Sequence, residues 1–301
     1  IFDGSQGVEP QSETVWRQAD KYHVPRLCFV NKMDKMGGDF EMSLRTIHER
    51  LSKNAFAIQL PIGAENEFCG IIDLIEGKAF NFEGSNGEKI LEMEIPADMK
   101  AKVEHHYNRL VEVAAEQDED LMMKYLEGEN LTKEEIKAAI RKGTVSGKIY
   151  PVLCGSALQN KGVQLVIDAV LDYLPAPADL PSVEGYDPDD ESVKLTRKLE
   201  STEPTTALAF KVATDPFIGR LTFVRVYSGK LESGSFVYNP NSRTKERIGR
   251  LVKMHANSRT EVDVIEAGDI GAVIGLKNTM TGQTLCDEKE PVILEEIVFP
   301  E

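Results

Sequence analysis

The stretch Arg26-Leu27-Cys28-Phe29-Val30-Asn31-Lys32-Met33-Asp34 combines a short apolar run with a polar ending. Residues 26–30 have the length and composition of a buried strand, and a parallel strand places a ligand-binding loop at its carboxyl end. Downstream, Asp39 is suited to cap a helix. The apolar residues of that helix recur at helical spacing, at Phe40, Leu44, Ile47 and Leu51. The stretch therefore predicts a strand, a loop and a helix, which is half of a βαβ unit.

A second strand, loop and helix follow much later in the chain. Residues 148–154 form an apolar run, Gly155-Ser156-Ala157 a tight loop, and an apolar stripe with helical spacing comes next. Upstream, residues 10–22 also show helical spacing, and Pro10 suits a first helical turn. Residues 1–55 and 148–175 are therefore predicted to form one α/β domain whose parallel sheet is interrupted and then resumes.

The interruption, residues 56–147, is predicted to be an α+β insertion that forms a subdomain of its own. We expect two short strands and two helices in it, near residues 58–62, 70–75, 96–115 and 132–141. The last helix starts with Thr132 and Glu135, the Thr and Glu of a capping box.

The pattern changes after residue 175. Residues 176–204 are rich in proline and acidic residues, which predicts a linker. Over residues 205–290, short β runs alternate with turns that contain Gly, Asn and Pro, as is typical of a small β-barrel. The runs lie at residues 207–213, 221–227, 235–238, 247–254, 263–265 and 270–274. The fold class is thus α/β, followed by a small all-β barrel.

Composition narrows the classes of function. The formal net charge of −15 argues against a general basic surface, so we expect no DNA partner and only local contact with RNA. The four cysteines lack metal-ligand spacing, which predicts no metal site and a reduced, cytoplasmic protein with Cys28 and Cys154 buried. No apolar stretch approaches the roughly 20 residues that span a bilayer, so we predict no membrane association.

The two loops have the chemistry to read a guanine base. Asn31-Lys32-Met33-Asp34 fits the pattern NKxD, and with Gly155-Ser156-Ala157 it resembles the two guanine-reading loops of P-loop GTPases. The carboxylate of Asp34 can accept parallel hydrogen bonds from guanine N1–H and the 2-amino group. Adenine offers neither donor, and sites of this kind reject the wrong ligand by about 10⁴ or more. The alternative is that these segments are an ordinary helix-entry loop and a turn.

Five longer stretches are similar to segments of the elongation factor G family of bacterial-type translational GTPases. They are GVEPQSETVWRQA (7–19), VNKMDK (30–35), QLPIG (59–63), GSAL (155–158) and KGVQ (161–164). The resemblance implies that Asn31 ties the two loops together and that the stem of Lys32 lies over the base. It also implies that the backbone N–H of Ala157 contacts guanine O6 and that Ser156 steadies its loop.

The same resemblance implies a domain plan. Residues 1–55 and 148–175 would be the latter part of the G domain, 56–147 the G-prime subdomain and 205–290 the β-barrel domain II. Residues 291–301 would start the link to a third domain. In this family the phosphate loop and the switches lie upstream of the position of Ile1, so we interpret the chain as an internal fragment.

The phosphate-reading half of a GTPase site is missing from these residues. No GxxxxGK[ST] occurs, so the backbone cradle, the phosphate lysine and the Mg²⁺ hydroxyl of that motif are absent. The predicted cofactor is GTP or GDP, with Mg²⁺ only in the intact protein. We assign no catalytic residue and expect this chain alone not to hydrolyse GTP.

The resemblance also implies a ribosomal partner. A local basic strip contains four candidates for contact with small-subunit ribosomal RNA, Arg243, Lys245, Arg247 and Arg250. The alternative is a solvated strand edge that discourages pairing. The acidic insertion would approach proteins of the ribosomal stalk, or it is simply a solvated charged face.

The sequence supports three functional hypotheses. The leading one is part of a translocase that couples GTP binding and hydrolysis to tRNA and mRNA movement. The second is a non-catalytic module that binds the ribosome. The third is a related translational GTPase of the tetracycline ribosomal-protection or release-factor type.

Overall fold

The computed structural model describes residues 1–215, 219–255 and 258–294, and the chain divides into two compact units. The first unit is Ile1–Pro175 and the second is Ala176–Glu301. Of the predicted link over residues 291–301, residues 295–301 lie outside the described part. Within the described part, no helix has the length and apolar character needed to cross a membrane.

The first unit combines helices with two sheets. Its helices are α1 (Pro10–Lys21), α2 (Phe40–Arg50), α3 (Lys100–Ala115), α4 (Glu119–Leu126), α5 (Lys133–Val145) and α6 (Val163–Tyr173). Its strands are β1 (Phe2–Asp3), β2 (Cys28–Asn31), β3 (Ala55–Ala57), β4 (Gln59–Ile62), β5 (Gly70–Asp73), β6 (Lys78–Glu83), β7 (Lys89–Met93) and β8 (Tyr150–Cys154).

The parallel sheet has the strand order β1-β2-β8-β3, and every neighbouring pair in it is parallel. The predicted strand, loop and helix are confirmed by β2 and α2, and the Asp39 carboxylate accepts a hydrogen bond from the Met42 N–H at 3.0 Å. This bond satisfies one of the free N–H groups of the first helical turn. Because β3 pairs with β8, the sheet continues through Ala57, past the predicted boundary at residue 55.

The insertion contains an antiparallel sheet of order β4-β5-β6-β7 together with α3, α4 and α5. The two predicted strands and two predicted helices are present, and the capping box of α5 at Thr132 and Glu135 is confirmed. The sequence did not predict β6, β7 or α4. Most residues of β7 are exposed at the sheet edge, where burial imposes no alternating apolar pattern, and α4 spans only eight residues.

The insertion and the parallel sheet share one hydrophobic core. Leu60 and Ile71 of the insertion belong to the same buried cluster as Val152 of the parallel sheet. The Ile58 N–H donates to the Val152 carbonyl at 3.0 Å, and a Cβ at Gly162 would meet Ile71 Cδ1 at 2.2 Å. The core of the insertion is thus continuous with that of the sheet, and the assignment of residues 56–147 as a subdomain of its own stays a prediction.

The second unit is built from strands. They are β9 (Val183–Asp187), β10 (Asp190–Arg197), β11 (Thr206–Asp215), β12 (Gly219–Ser228), β13 (Lys230–Glu232), β14 (Phe236–Asn239), β15 (Thr244–Arg247), β16 (Arg250–His255), β17 (Ser258–Val262), β18 (Val264–Glu266), β19 (Ile270–Ile274), β20 (Thr284–Cys286) and β21 (Ile293–Leu294).

The strands of the second unit pair antiparallel throughout its described residues. The main sheet has the order β15-β14-β20-β11-β12-β19-β16-β17, and β13 pairs with β18. Its apolar core includes Ala207, Val224, Leu251 and Leu285, contributed by four different strands. The prediction of an α/β domain followed by an all-β domain is confirmed.

The predicted linker over residues 176–204 needs correction. Two strands of this segment, β9 and β10, form a hairpin, and β21 pairs with the other side of β9. Pro188 lies in the turn between the two strands rather than in an extended linker. Proline and acidic residues are also typical of turns and exposed edge strands, so composition alone did not distinguish a hairpin from a linker.

The cysteines behave as small apolar residues. Cys28, Cys154 and Cys286 are buried, Cys69 is exposed, and all four are free thiols. Burial raises the pKa of Cys28 to about 12. The prediction that Cys28 and Cys154 are buried thiols is confirmed.

A buried carboxylate organises one end of the second unit. Glu246 of β15 is 6% exposed and accepts hydrogen bonds from Lys277 N–H (2.5 Å), Asn278 N–H (2.9 Å) and Thr279 Oγ1 (2.5 Å). Burial alone would raise the pKa of Glu246, but the bonds from Thr279, Asn278 and Lys277 outweigh it and lower the pKa. Glu246 thus holds the turn that follows β19.

We predict that Glu246→Ala lowers the free energy of unfolding by about 2 to 3 kcal/mol, since it leaves buried donors unpaired. The control Glu288→Ala removes an exposed partner of Lys245. It should change the free energy of unfolding by less than about 0.5 kcal/mol. The folded pKa of Glu246 is below its ordinary value of 4.5, so its stabilisation exists above that pH and is lost in acid. Urea unfolding followed by circular dichroism should show the difference from Glu246→Ala shrinking below pH 4.5; an unchanged difference contradicts this account.

Candidate functional site

The two predicted loops leave the same edge of the parallel sheet. Strands β2 and β8 are neighbours in register, with Val30 opposite Cys154, so the residues that follow each strand meet. The Gly155 N–H donates to the Val30 carbonyl at 3.0 Å, and the Met33 N–H donates to the Gly155 carbonyl at 3.1 Å. Backbone hydrogen bonds therefore continue past the strand ends and join the loops at their bases.

Asn31 joins the two loops by its side chain. Its Oδ1 accepts a hydrogen bond from the backbone N–H of Ala157 at 2.8 Å, across 126 residues of sequence. The family resemblance implies that this N–H contacts guanine O6. Here it is donated to Asn31, so a contact with O6 requires the N–H to be shared between the two acceptors.

Lys32 is held by a carboxylate that no sequence motif predicted. Its Nζ lies 2.8 Å from Asp3 Oδ2, and Lys35 Nζ lies 3.3 Å from the same oxygen. The bond from Lys32, with further bonds from Ser5 and Lys35, holds the pKa of Asp3 well below its usual range. The same bond to Asp3 raises the pKa of Lys32. The only sequence signal for Asp3 was its place at the end of an apolar strand, which the structure sets beside Asn31.

Asp34 is half-buried and only lightly engaged by protein groups. Its Oδ2 accepts from Gln159 Nε2 at 3.3 Å, which is a long hydrogen bond. Among the described residues, its Oδ1 has no hydrogen-bond partner. The carboxylate can therefore accept a pair of donors from a ligand once Gln159 is displaced.

Ser156 shapes the second loop from inside. It is buried, and its Oγ accepts from the Gln159 N–H at 3.2 Å. Its backbone pairs with Lys161 through two hydrogen bonds of 2.9 Å. Gln159 thus contacts Ser156 through its backbone N–H and Asp34 through its side chain. It links the two loops, a role that no sequence motif predicted.

The structure gives acidic partners to the basic strip. These pairs are Arg243 with Asp189 (2.8 Å), Lys245 with Glu288 (2.5 Å) and Arg250 with Glu261 (3.8 Å). The acids come from other parts of the second unit, so the basic residues taken alone overstate the local positive charge. Arg247 is exposed. Exposed ion pairs contribute little stability, so these basic side chains can exchange their partners for phosphates.

These features define a nucleotide-binding α/β domain of the GTPase class, followed by an all-antiparallel β domain. The family model described as the Elongation factor Tu GTP binding domain matches residues 1–176, and that of Elongation factor Tu domain 2 matches residues 219–286. The first match covers more than half of the chain. The chain therefore belongs to the Elongation factor Tu GTP-binding domain family, within the translational GTPases.

A solved structure supports the same fold. It is the crystal structure of a Thermus thermophilus protein, 27% identical in sequence, with a TM-score of 0.78. The match covers 96% of this chain and 40% of that protein. The chain thus spans less than half the length of this structural relative.

We predict that Asn31→Ala opens the contact between the loops. The amide of Ala157 then loses its acceptor, so its hydrogen exchange should become about tenfold faster, as expected for a lost hydrogen bond of ordinary strength. Asn54→Ala is a matched control, because Asn54 Nδ2 donates to the Lys148 carbonyl at 3.0 Å, outside these loops. NMR exchange measurements on Ala157 check this; equal rates in the two variants would contradict it.

Proposed function

We propose that this chain is part of an elongation factor G-type translational GTPase, whose GTP binding and hydrolysis drive tRNA and mRNA movement. The family match and the five similar stretches support the proposal. The observation that carries it is the hydrogen bond between Asn31 Oδ1 and the Ala157 N–H, which brings the two loops together at one sheet edge. An ordinary turn and an unrelated helix-entry loop do not need such a bond.

Five residues would hold guanine. Asp34 accepts guanine N1–H and the 2-amino group in a charge-assisted pair, and the stem of Lys32 covers the base. Asn31 keeps the loops together, Ser156 shapes the second loop, and the N–H of Ala157 reaches O6. The half-buried carboxylate of Asp34, held by a long bond to Gln159, fits this role because guanine offers two better donors.

The motif GxxxxGK[ST], which would hold the phosphates and Mg²⁺, does not occur in these 301 residues. Mg²⁺ would supply charge neutralisation at the phosphates of bound GTP. We therefore propose that this chain selects guanine without hydrolysing GTP on its own.

The second unit and the insertion would dock on the ribosome in the cytoplasm. The exposed basic residues of the second unit would contact small-subunit RNA, and the insertion would meet stalk proteins. A second candidate function, a non-catalytic ribosome-binding module, is favoured by the same absence of a phosphate-binding motif. The two candidates differ in whether the Asp34 loop still selects guanine.

Saturation-transfer NMR with free nucleosides tests base selection, because it detects weak binding and needs no phosphate site. We predict a signal from guanosine, none from adenosine, and loss of the guanosine signal in Asp34→Ala. Asp34→Asn should prefer xanthosine, since the amide can donate to its 2-oxo group and accept from N1–H. Equal signals from guanosine and adenosine, or an unchanged signal in Asp34→Ala, would contradict guanine selection.

Co-sedimentation tests ribosome docking independently of the nucleotide. We predict that the chain pellets with ribosomes at low salt and that replacement of Arg243, Lys245, Arg247 and Arg250 by alanine weakens this about tenfold or more. Alanine at Arg17, Lys21, Arg45 and Lys53, exposed residues of the first unit outside the insertion, removes the same charge and serves as the control. Equal loss in the two sets would mean that net charge, not the basic strip, governs docking.

A further inference from the structure

A turn of the insertion, residues 63–68, lies against the loop that carries Asp34. The Glu65 N–H donates to the Met33 carbonyl at 2.8 Å. The Gly37 N–H donates to Glu65 Oε1 at 2.6 Å, a short bond of the charge-assisted kind. One residue of the insertion therefore binds this loop on both sides of Asp34.

Met33 transmits the contact to Asp34. Its side chain is 1% exposed, its N–H is bound by Gly155, and its carbonyl is bound by Glu65. The peptide group between Met33 and Asp34 is planar, so a bond to its carbonyl limits how the Cα of Asp34 can turn. Glu65 and Gly155 together fix the direction from which Asp34 projects.

The backbone of the turn has a shape that its contacts must maintain. Glu65 has φ +52°, a left-handed conformation that costs about 1 kcal/mol for a residue with a side chain. Gly63 has φ +76°, and a Cβ there would meet the Glu67 carbonyl oxygen at 2.1 Å. Strain of this kind persists where surrounding interactions determine the conformation, and here those interactions are with the Asp34 loop.

The insertion also contacts the second loop. Three side chains that follow Ala157 donate to backbone carbonyls of the insertion: Lys161 to Phe68 (3.1 Å), Asn160 to Asn86 (2.9 Å) and Gln164 to Gly87 (3.3 Å). Both base-reading loops therefore rest on the insertion, and the shared hydrophobic core lies beneath these contacts.

We propose that Glu65 is a positioning residue for guanine recognition, which it serves from the insertion by fixing the loop around Asp34. The inference rests on the proposed guanine selection and adds a residue that does not touch the base. Its carboxylate holds the Gly37 N–H and its backbone N–H holds the Met33 carbonyl. Loss of the Glu65 carboxylate should make the loop more mobile, so that the Asp34 carboxylate occupies a wider range of positions.

The test compares guanosine with inosine, which lacks the 2-amino group and so cannot make the second hydrogen bond to Asp34. The ratio of their affinities for the 301-residue chain, measured by NMR titration, reports the position of that carboxylate. We expect a ratio of about tenfold for the unmodified chain, falling to about threefold or less in Glu65→Ala. A variant that merely weakened the fold would lower both affinities and leave the ratio unchanged.

Two further variants separate the carboxylate from its surroundings. Glu65→Gln keeps an oxygen that can accept from the Gly37 N–H, so the ratio should return to near the unmodified value. Glu67→Ala removes an exposed carboxylate of the same turn and should leave the ratio unchanged. Amide exchange over residues 33–38 should become about tenfold faster in Glu65→Ala alone.

The outcomes distinguish the two proposals. The role of Glu65 is overturned if Glu65→Ala keeps the ratio of guanosine to inosine affinity and leaves amide exchange over residues 33–38 unchanged. Guanine selection still stands in that case if Asp34→Ala loses the ratio. Equal binding of guanosine and inosine by the unmodified chain overturns the contact of Asp34 with the 2-amino group and, with it, the role of Glu65 in recognition. Equal binding of guanosine and adenosine overturns guanine selection itself.

Discussion

The hydrogen bond from the Ala157 N–H to Asn31 Oδ1 is the contact on which the candidate site depends. It closes two loops that lie 126 residues apart in sequence, and it can form only because β2 and β8 pair in parallel register. The apolar strands therefore act on function indirectly, since their burial sets the register and the register brings the polar residues together. A shift of that register would separate Asn31 from Ala157 even if every side chain remained.

Around this bond, two carboxylates restrain the side chain and the backbone of the NKxD loop. Asp3 restrains Lys32 by a carboxylate at the end of β1, whereas Glu65 restrains the Asp34 loop from the insertion. Asp34 itself has one long hydrogen bond, to Gln159. The site thus combines restrained neighbours with an available acceptor, which is the arrangement expected of a group that must exchange protein contacts for ligand contacts.

Local signals predicted local structure well. The cap at Asp39 and the capping box at Thr132 predicted the starts of α2 and α5, because capping interactions lie within a few residues of sequence. The hairpin of β9 and β10 and the ion pairs of the basic strip were missed, as were Asp3, Gln159 and Glu65. The hairpin was missed because proline and acidic residues suit turns and exposed edge strands as well as a linker. The other contacts depend on a partner from another segment, and a single sequence does not show which segments meet.

The most direct test of this account is a ¹⁵N NMR titration of the chain with GMP and, separately, with AMP. We expect saturable shifts of the Ala157 amide and of amides over residues 31–37 with GMP, because the base replaces Gln159 at Asp34 and approaches the Ala157 N–H. AMP should produce no comparable shifts there. Shifts confined to other parts of the first unit, or equal shifts with both nucleotides, would contradict a guanine site closed by Asn31.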